Sequence, residues 1–164
     1  MNQEHIKISP QHIDSMHNFC EGVQLKHIMT EKVITINVDD RFSLVEEKMR
    51  EFRIRHLPVI DKNKKLVGIV TQRDLYKVQS PRRDENGNWF YDKESLDEHI
   101  LKYVMTPEPF TLKPEDHLGD AILHMVDRKY GSIPIVNEKH HVIGIITQID
   151  ILRIAAEIVR RKHN

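Results

Sequence analysis

The chain has 164 residues, of which 25 are basic and 25 acidic, so its formal net charge is zero. That balance argues against a generally basic nucleic-acid surface, and the length allows one compact domain or two small ones. The single cysteine, Cys20, excludes an internal disulfide and fits a reducing cytoplasm. The N-terminal MNQEHIKISP has no apolar core of signal-peptide length. The most apolar stretch, 142–159, is interrupted by Gln148, Asp150, Arg153 and Glu157, so no membrane span is expected.

Taken in chain order, residues 10–21 read as a short helix without an evident role. Met29-Thr30 then precedes a short alternating segment, V-I-T-I at 33–36, which reads as a strand. Phe42, Val45, Met49 and Phe52 follow at helical spacing, with Glu46, Glu47, Lys48 and Arg50 between them. Two apolar runs, L-P-V-I and L-V-G-I-V, flank the polar turn D-K-N-K-K and predict a hairpin. A second helix starts near Gln72. Residues 80–92, SPRRDENGNWFYD, read as a loop whose Trp89, Phe90 and Tyr91 fasten it to the core. Residues 93–104 read as a helix.

From Met105 the pattern begins again. Residues 29–76 align with 105–152 without a gap, at a constant offset of 76. Eleven of the 48 pairs are identical, and they cluster at turns and in one polar motif, G-I-[VI]-T-Q-x-D. P-F-T-L at 109–112 replaces the first strand, and Leu118, Ala121, Ile122, Met125 and Val126 form the helix stripe. I-P-I-V and V-I-G-I-I form the hairpin around N-E-K-H-H. The unit is β-α-β-β-α. One such unit buries a marginal core, so two are expected to pack together with pseudo-two-fold symmetry. The boundaries are 1–24 for an N-terminal segment, 25–80 for repeat 1, 81–101 for the connection and 102–164 for repeat 2. The fold class is α/β (α+β). The last helix carries an apolar stripe broader than one neighbour needs, which points to a homodimer.

The T-Q-x-D motif lies at a strand-to-helix junction in each repeat. Thr71 and Thr147 suit N-caps, with Asp74 and Asp150 three residues on. The same geometry offers backbone N–H groups to an anion and a carboxylate to the vicinal hydroxyls of a ribose. Gly68 and Gly144 allow close approach by another backbone or a ligand. The eleven histidines have no zinc-ligand spacing. No nucleophile–base set, paired carboxylates or phosphate loop suggests an enzyme.

Both repeats resemble the CBS domain, on the early hydrophobic-Thr-hydrophobic strand, the hydrophobic-Pro pair and the G-x-[VI]-T-x-x-D motif. The resemblance covers about residues 25–160, and T-Q-R-D is similar to the form in IMP dehydrogenase. A tandem pair resembles a Bateman module, which implies adenosyl ligands in clefts between the two domains. AMP, ADP or ATP is the expected ligand, ahead of S-adenosylmethionine or NAD. The resemblance makes Asp74 and Asp150 ribose acceptors and puts Thr71 and Thr147 near ribose or phosphate. It sets the base beside Thr35 and Ile36 or Thr111 and Leu112, with Leu57-Pro58 or Ile133-Pro134 as the other wall. Arg55, His56 and Arg73 in repeat 1 face Ser132 and Ile149 in repeat 2, so phosphorylated ligands are expected on the repeat 1 side. The function implied is a stand-alone cytoplasmic sensor acting on a protein partner in trans. The alternative is a dimerisation scaffold with empty clefts.

Overall fold

A computed structural model describes residues 9–78, 81–91, 96–97 and 100–161. The elements are α1 (Pro10–Gly22), β1 (Ile36–Asn37), α2 (Ser43–Glu51), β2 (His56–Ile60), β3 (Leu66–Thr71), α3 (Gln72–Val78), β4 (Pro81–Arg83) and β5 (Trp89–Tyr91). They continue with α4 (Leu101–Val104), β6 (Thr106–Pro107), α5 (Leu118–Asp127), β7 (Ser132–Val136), β8 (Val142–Thr147) and α6 (Gln148–Arg161). Each hairpin forms where the apolar runs predict it, and the two are superposable in register. His56 opposes Thr71 in repeat 1 as Ser132 opposes Thr147 in repeat 2. In each turn a side-chain oxygen, Asp61 Oδ1 or Asn137 Oδ1, accepts two backbone N–H groups at 2.8–3.0 Å. These are local side-chain-to-backbone bonds of the kind that fix tight turns. The left-handed residues are duplicated too: Arg53 and Lys129 follow the first helix of each repeat, and Lys64 and His140 sit in the turns.

The sheets show what the two repeats do to each other. β1, β2 and β3 form a sheet whose far edge is β6, a segment leading into repeat 2; Ile69 pairs with Thr106. The β7–β8 hairpin is flanked by Leu112 on one side and by Thr30, from the start of repeat 1, on the other. Thr30 and Ile145 exchange N–H···O bonds of 2.9 and 3.0 Å. Each repeat therefore lends its opening segment to the other's sheet edge. The cores follow: Leu101 and Met105 are buried with Ile36, Phe42, Leu57 and Val70, while Leu25 is buried with Leu118, Ile133 and Ile146. The glycines Gly68 and Gly144 have their reason here. A Cβ on either would fall onto the Sδ of Met105 or Met29, with Cγ only 2.9 Å away.

Three expectations change. The first strand of repeat 1 shrinks to Ile36–Asn37, since the chain pairs with β8 only at Thr30 and joins β2 only from Ile36. The connection is a hairpin, β4–β5, rather than a loop, closed by Asp84 and by Gly87 at φ 82°. Trp89 does not fasten it to the core: it is 63% exposed and stacks under the Arg83 guanidinium at 4.5 Å. The side chains of Phe90 and Tyr91 lie outside the described residues, as does much of the helix expected over 93–104, of which Leu101–Val104 is α4.

The exchange predicts that Gly68→Ala costs about 1–3 kcal/mol by overpacking against Met105. In a Met105→Ala background the same change should cost much less, as urea unfolding would show. An equal cost in both backgrounds would mean that the methionine is not what excludes the Cβ.

Candidate functional site

The motif forms the same structure twice. The Thr71 N–H and hydroxyl donate to Asp74 Oδ2 at 2.9 and 2.7 Å, and Thr147 does the same to Asp150 Oδ2 at 2.9 and 2.7 Å. The capping arrangement is therefore present at the first turns of α3 and α6. The remaining oxygen is held by a cation one turn on: Lys77 Nζ at 2.8 Å from Asp74, Arg153 at 3.0 Å from Asp150. Those cations were not singled out from the sequence, although D-x-x-K and D-x-x-R show them. Both carboxylates are buried, at 6% and 9% exposure, while the cations are largely exposed. Burial pushes the Asp74 carboxyl up, but the hydrogen bonds from Lys77 and Thr71 outweigh it and hold it below the usual range. Each aspartate thus has one oxygen bonded by its threonine and the other paired with an exposed surface cation.

The structure sorts the other predicted residues by what they can offer. Ile36, Leu57, Leu112 and Ile133 are core side chains at 0–8% exposure, and Pro58 and Pro134 are buried beside them in β2 and β7. At these positions the main chain is what a ligand can meet. Thr111 is half-buried, and Arg55 and Arg73 are exposed. Thr35 is half-buried and its carbonyl accepts a 2.8 Å bond from Lys48 Nζ. It lines a cleft of about 360 Å³ with Val33, Ile60 and Lys64 from repeat 1 and Asn137, His141, Val142 and Ile143 from repeat 2. Among the described residues no three His, Cys, Asp or Glu side chains gather into a group able to hold a metal ion.

Two residues draw the repeats together at the site. A Cβ built on Gly131 would stand 2.5 Å from His56 Nε2, so the imidazole of repeat 1 lies directly on repeat 2. Burial, and then the charge of Arg55, push that imidazole below its ordinary value of 6.5. The equivalent residue, Ser132, is 8% exposed and its hydroxyl is the one buried side-chain polar atom without a partner among the described residues. Ranking the clefts by the cations of each repeat assumes that a repeat serves its own aspartate. The His56 ring on Gly131 shows that a side chain of one repeat reaches the other.

The chain matches the CBS domain family over residues 25–80 and 101–157 and belongs to it. A CBS domain-containing protein of Dictyostelium discoideum is 28% identical over 84% of this chain and 94% of that protein. An inosine-5'-monophosphate dehydrogenase of Korarchaeum cryptofilum is 35% identical over 73% of this chain, and a homoserine O-acetyltransferase of Methanococcoides burtonii is 31% identical over 85%. The chain spans only 21% and 25% of the length of those two enzymes. Among solved structures, CBSX2 in complex with AMP superposes with a TM-score of 0.68 at 25% identity, covering 84% of this chain and 98% of that one.

The His56 environment has a pH consequence. Its folded value lies below 6.5, so below that pH the unfolded chain binds more protons than the folded one. Its contribution is complete above pH 6.5 and is lost as pH falls through the folded value. Melting temperature should therefore decline between pH 7.5 and 5.5 more steeply in the wild type than in His56→Gln. Parallel slopes would place the acid sensitivity elsewhere.

Proposed function

We propose that the chain is a regulatory module that binds an adenine nucleotide, AMP, ADP or ATP, in clefts between its repeats and acts on a protein partner in trans. The observation that carries this reading is the pair of buried aspartates, each with one oxygen fixed by its threonine and one free to exchange an exposed cation for a ribose diol. A bare cap gains little from burying the whole carboxylate, since capping needs a single oxygen. The AMP complex of CBSX2, on the same fold, supports the ligand class. The exchanged opening segments support the mechanism. β8 leads to Asp150 and carries Thr30 of repeat 1 along its edge, so a ligand there touches both repeats. It can then bias their relative position by its differential affinity for two arrangements. A partner in trans is consistent with the Dictyostelium relative, in which the matched region is nearly the whole protein. The single cysteine fits a cytoplasmic setting. No described helix is long and apolar enough to cross a membrane.

One observation favours the scaffold alternative: each aspartate is already satisfied by its threonine and a cation. Thermal denaturation with AMP, ADP and ATP separates the readings. A ligand at about 100 times its dissociation constant adds roughly 2.7 kcal/mol to the folded state, visible as a shift in Tm. The sensor reading expects a shift with at least one nucleotide that Asp74→Ala or Asp150→Ala diminishes. No shift with any of the three leaves the scaffold.

A homodimer belongs to the same proposal. Leu123 and Val126 on α5 and Leu152 and Val159 on α6 are 60–69% exposed, an apolar surface a second copy would cover. Sedimentation velocity should give a dimer, and Val126→Glu with Leu152→Glu should give a monomer that remains folded. A monomeric wild type at micromolar concentration would end the dimer proposal.

A further inference from the structure

The two clefts are built on one plan, yet the position facing each threonine differs. In an antiparallel rung, opposed side chains share a face of the sheet with Cβ atoms about 5 Å apart. His56 therefore stands beside Thr71, and Ser132 beside Thr147. Each threonine holds its aspartate at 2.7 Å. On the Thr71 rung the side chain is an imidazole that reaches Gly131 of the other repeat. On the Thr147 rung the corresponding side chain is a short hydroxymethyl whose oxygen is buried and unpaired. A buried hydroxyl without an acceptor is a defect that a bound acceptor repairs.

We infer that His56 closes the Asp74 cleft and that the chain binds a single adenosyl ligand, at the Asp150 cleft, with Ser132 donating to it. This rests on the ribose reading of the aspartates proposed above and decides which of them is used. Three features act together on the Asp150 side. The carboxylate oxygen facing Arg153 is exchangeable, the Ser132 hydroxyl lacks an acceptor, and the side chain opposite Thr147 is a short serine in place of an imidazole. On the Asp74 side a ligand must first move a half-buried ring packed on a glycine backbone. Gly131 is needed there for space, since its φ is not positive.

Titration calorimetry with AMP on the full chain tests this through stoichiometry. One AMP per chain is expected, lost in Asp150→Ala and kept in Asp74→Ala. His56→Ser, which copies the repeat 2 residue into repeat 1, should raise the count to two. Ser132→Ala should weaken binding several-fold without changing the count. Two AMP per chain in the wild type, or a single site lost in Asp74→Ala and kept in Asp150→Ala, would overturn the inference. So would a count that stays at one in both His56→Ser and His56→Ala. No heat at all with wild-type chain would instead defeat the ribose reading on which the inference stands. The packing premise has its own check: Gly131→Ala should lower Tm in the wild type and be nearly silent in His56→Ala.

Discussion

The structure depends on the exchange of opening segments between the repeats. Met29 lies on Gly144 and Met105 on Gly68, and the residues next to those methionines supply the outer edge of the opposite sheet. A β-sheet edge left open is a surface for unwanted pairing. Here each repeat closes the other's edge, so neither sheet nor core is complete alone. Small domains bury too little surface to be independently stable, and a reciprocal loan of strand and core residues is one remedy. The close methionine–glycine contact also limits how far the repeats can shift without unpacking.

The exchange decides what the site is made of. Had each repeat been self-contained, every candidate contact would belong to one repeat, and its charges would rank its own cleft. Because Thr30 pairs with Ile145 and His56 lies on Gly131, the strands that lead to the two motifs draw contacts from both halves of the chain. The polar residues at the junction are then free to diverge while the hydrophobic residues are not. His56 against Ser132 and Arg55 against Gly131 are large chemical differences between positions whose flanking Leu57-Pro58 and Ile133-Pro134 are nearly the same. Packing keeps the latter pairs alike, while among the former it holds Gly131 small against His56 and leaves the polarity of the others to differ.

Much of this was legible in the sequence. Period-two and helical apolar patterns place both hairpins and the helices after them, because those patterns reflect burial directly. The Thr-x-x-Asp spacing specifies a cap, and the cap is there. What the sequence hides is the identity of partners distant along the chain. Gly68 and Gly144 signal close approach, yet only the fold shows that a methionine from the other repeat is the visitor. The alternation at 33–36 suggests a strand along its whole length, whereas only Ile36 of that segment joins a sheet, Thr30 before it having paired with Ile145 of the other repeat. The run at 80–92 reads as a loop because polar, charged and glycine residues dominate it, and its described side chains at 81 and 83–89 are exposed. Trp89 there finds a cation instead of a core.

The aspartates carry two demands that the same geometry meets. As caps they need one oxygen near the threonine N–H, and that oxygen is fixed at 2.9 Å in both repeats. The second oxygen is held by Lys77 or Arg153, cations 66% and 74% exposed at the side chain, and such surface pairs contribute little to stability. Exchanging that partner for sugar hydroxyls therefore loses little, while the cap keeps the helix start and the carboxylate in place. Folding pre-organises the acceptor, and binding does not have to order it. Capping alone accounts for the duplicated motif in a scaffold, and capping with an exchangeable second oxygen accounts for it in a sensor. The difference between them lies in the neighbours of the motif, where one repeat has an imidazole and the other an unpaired hydroxyl.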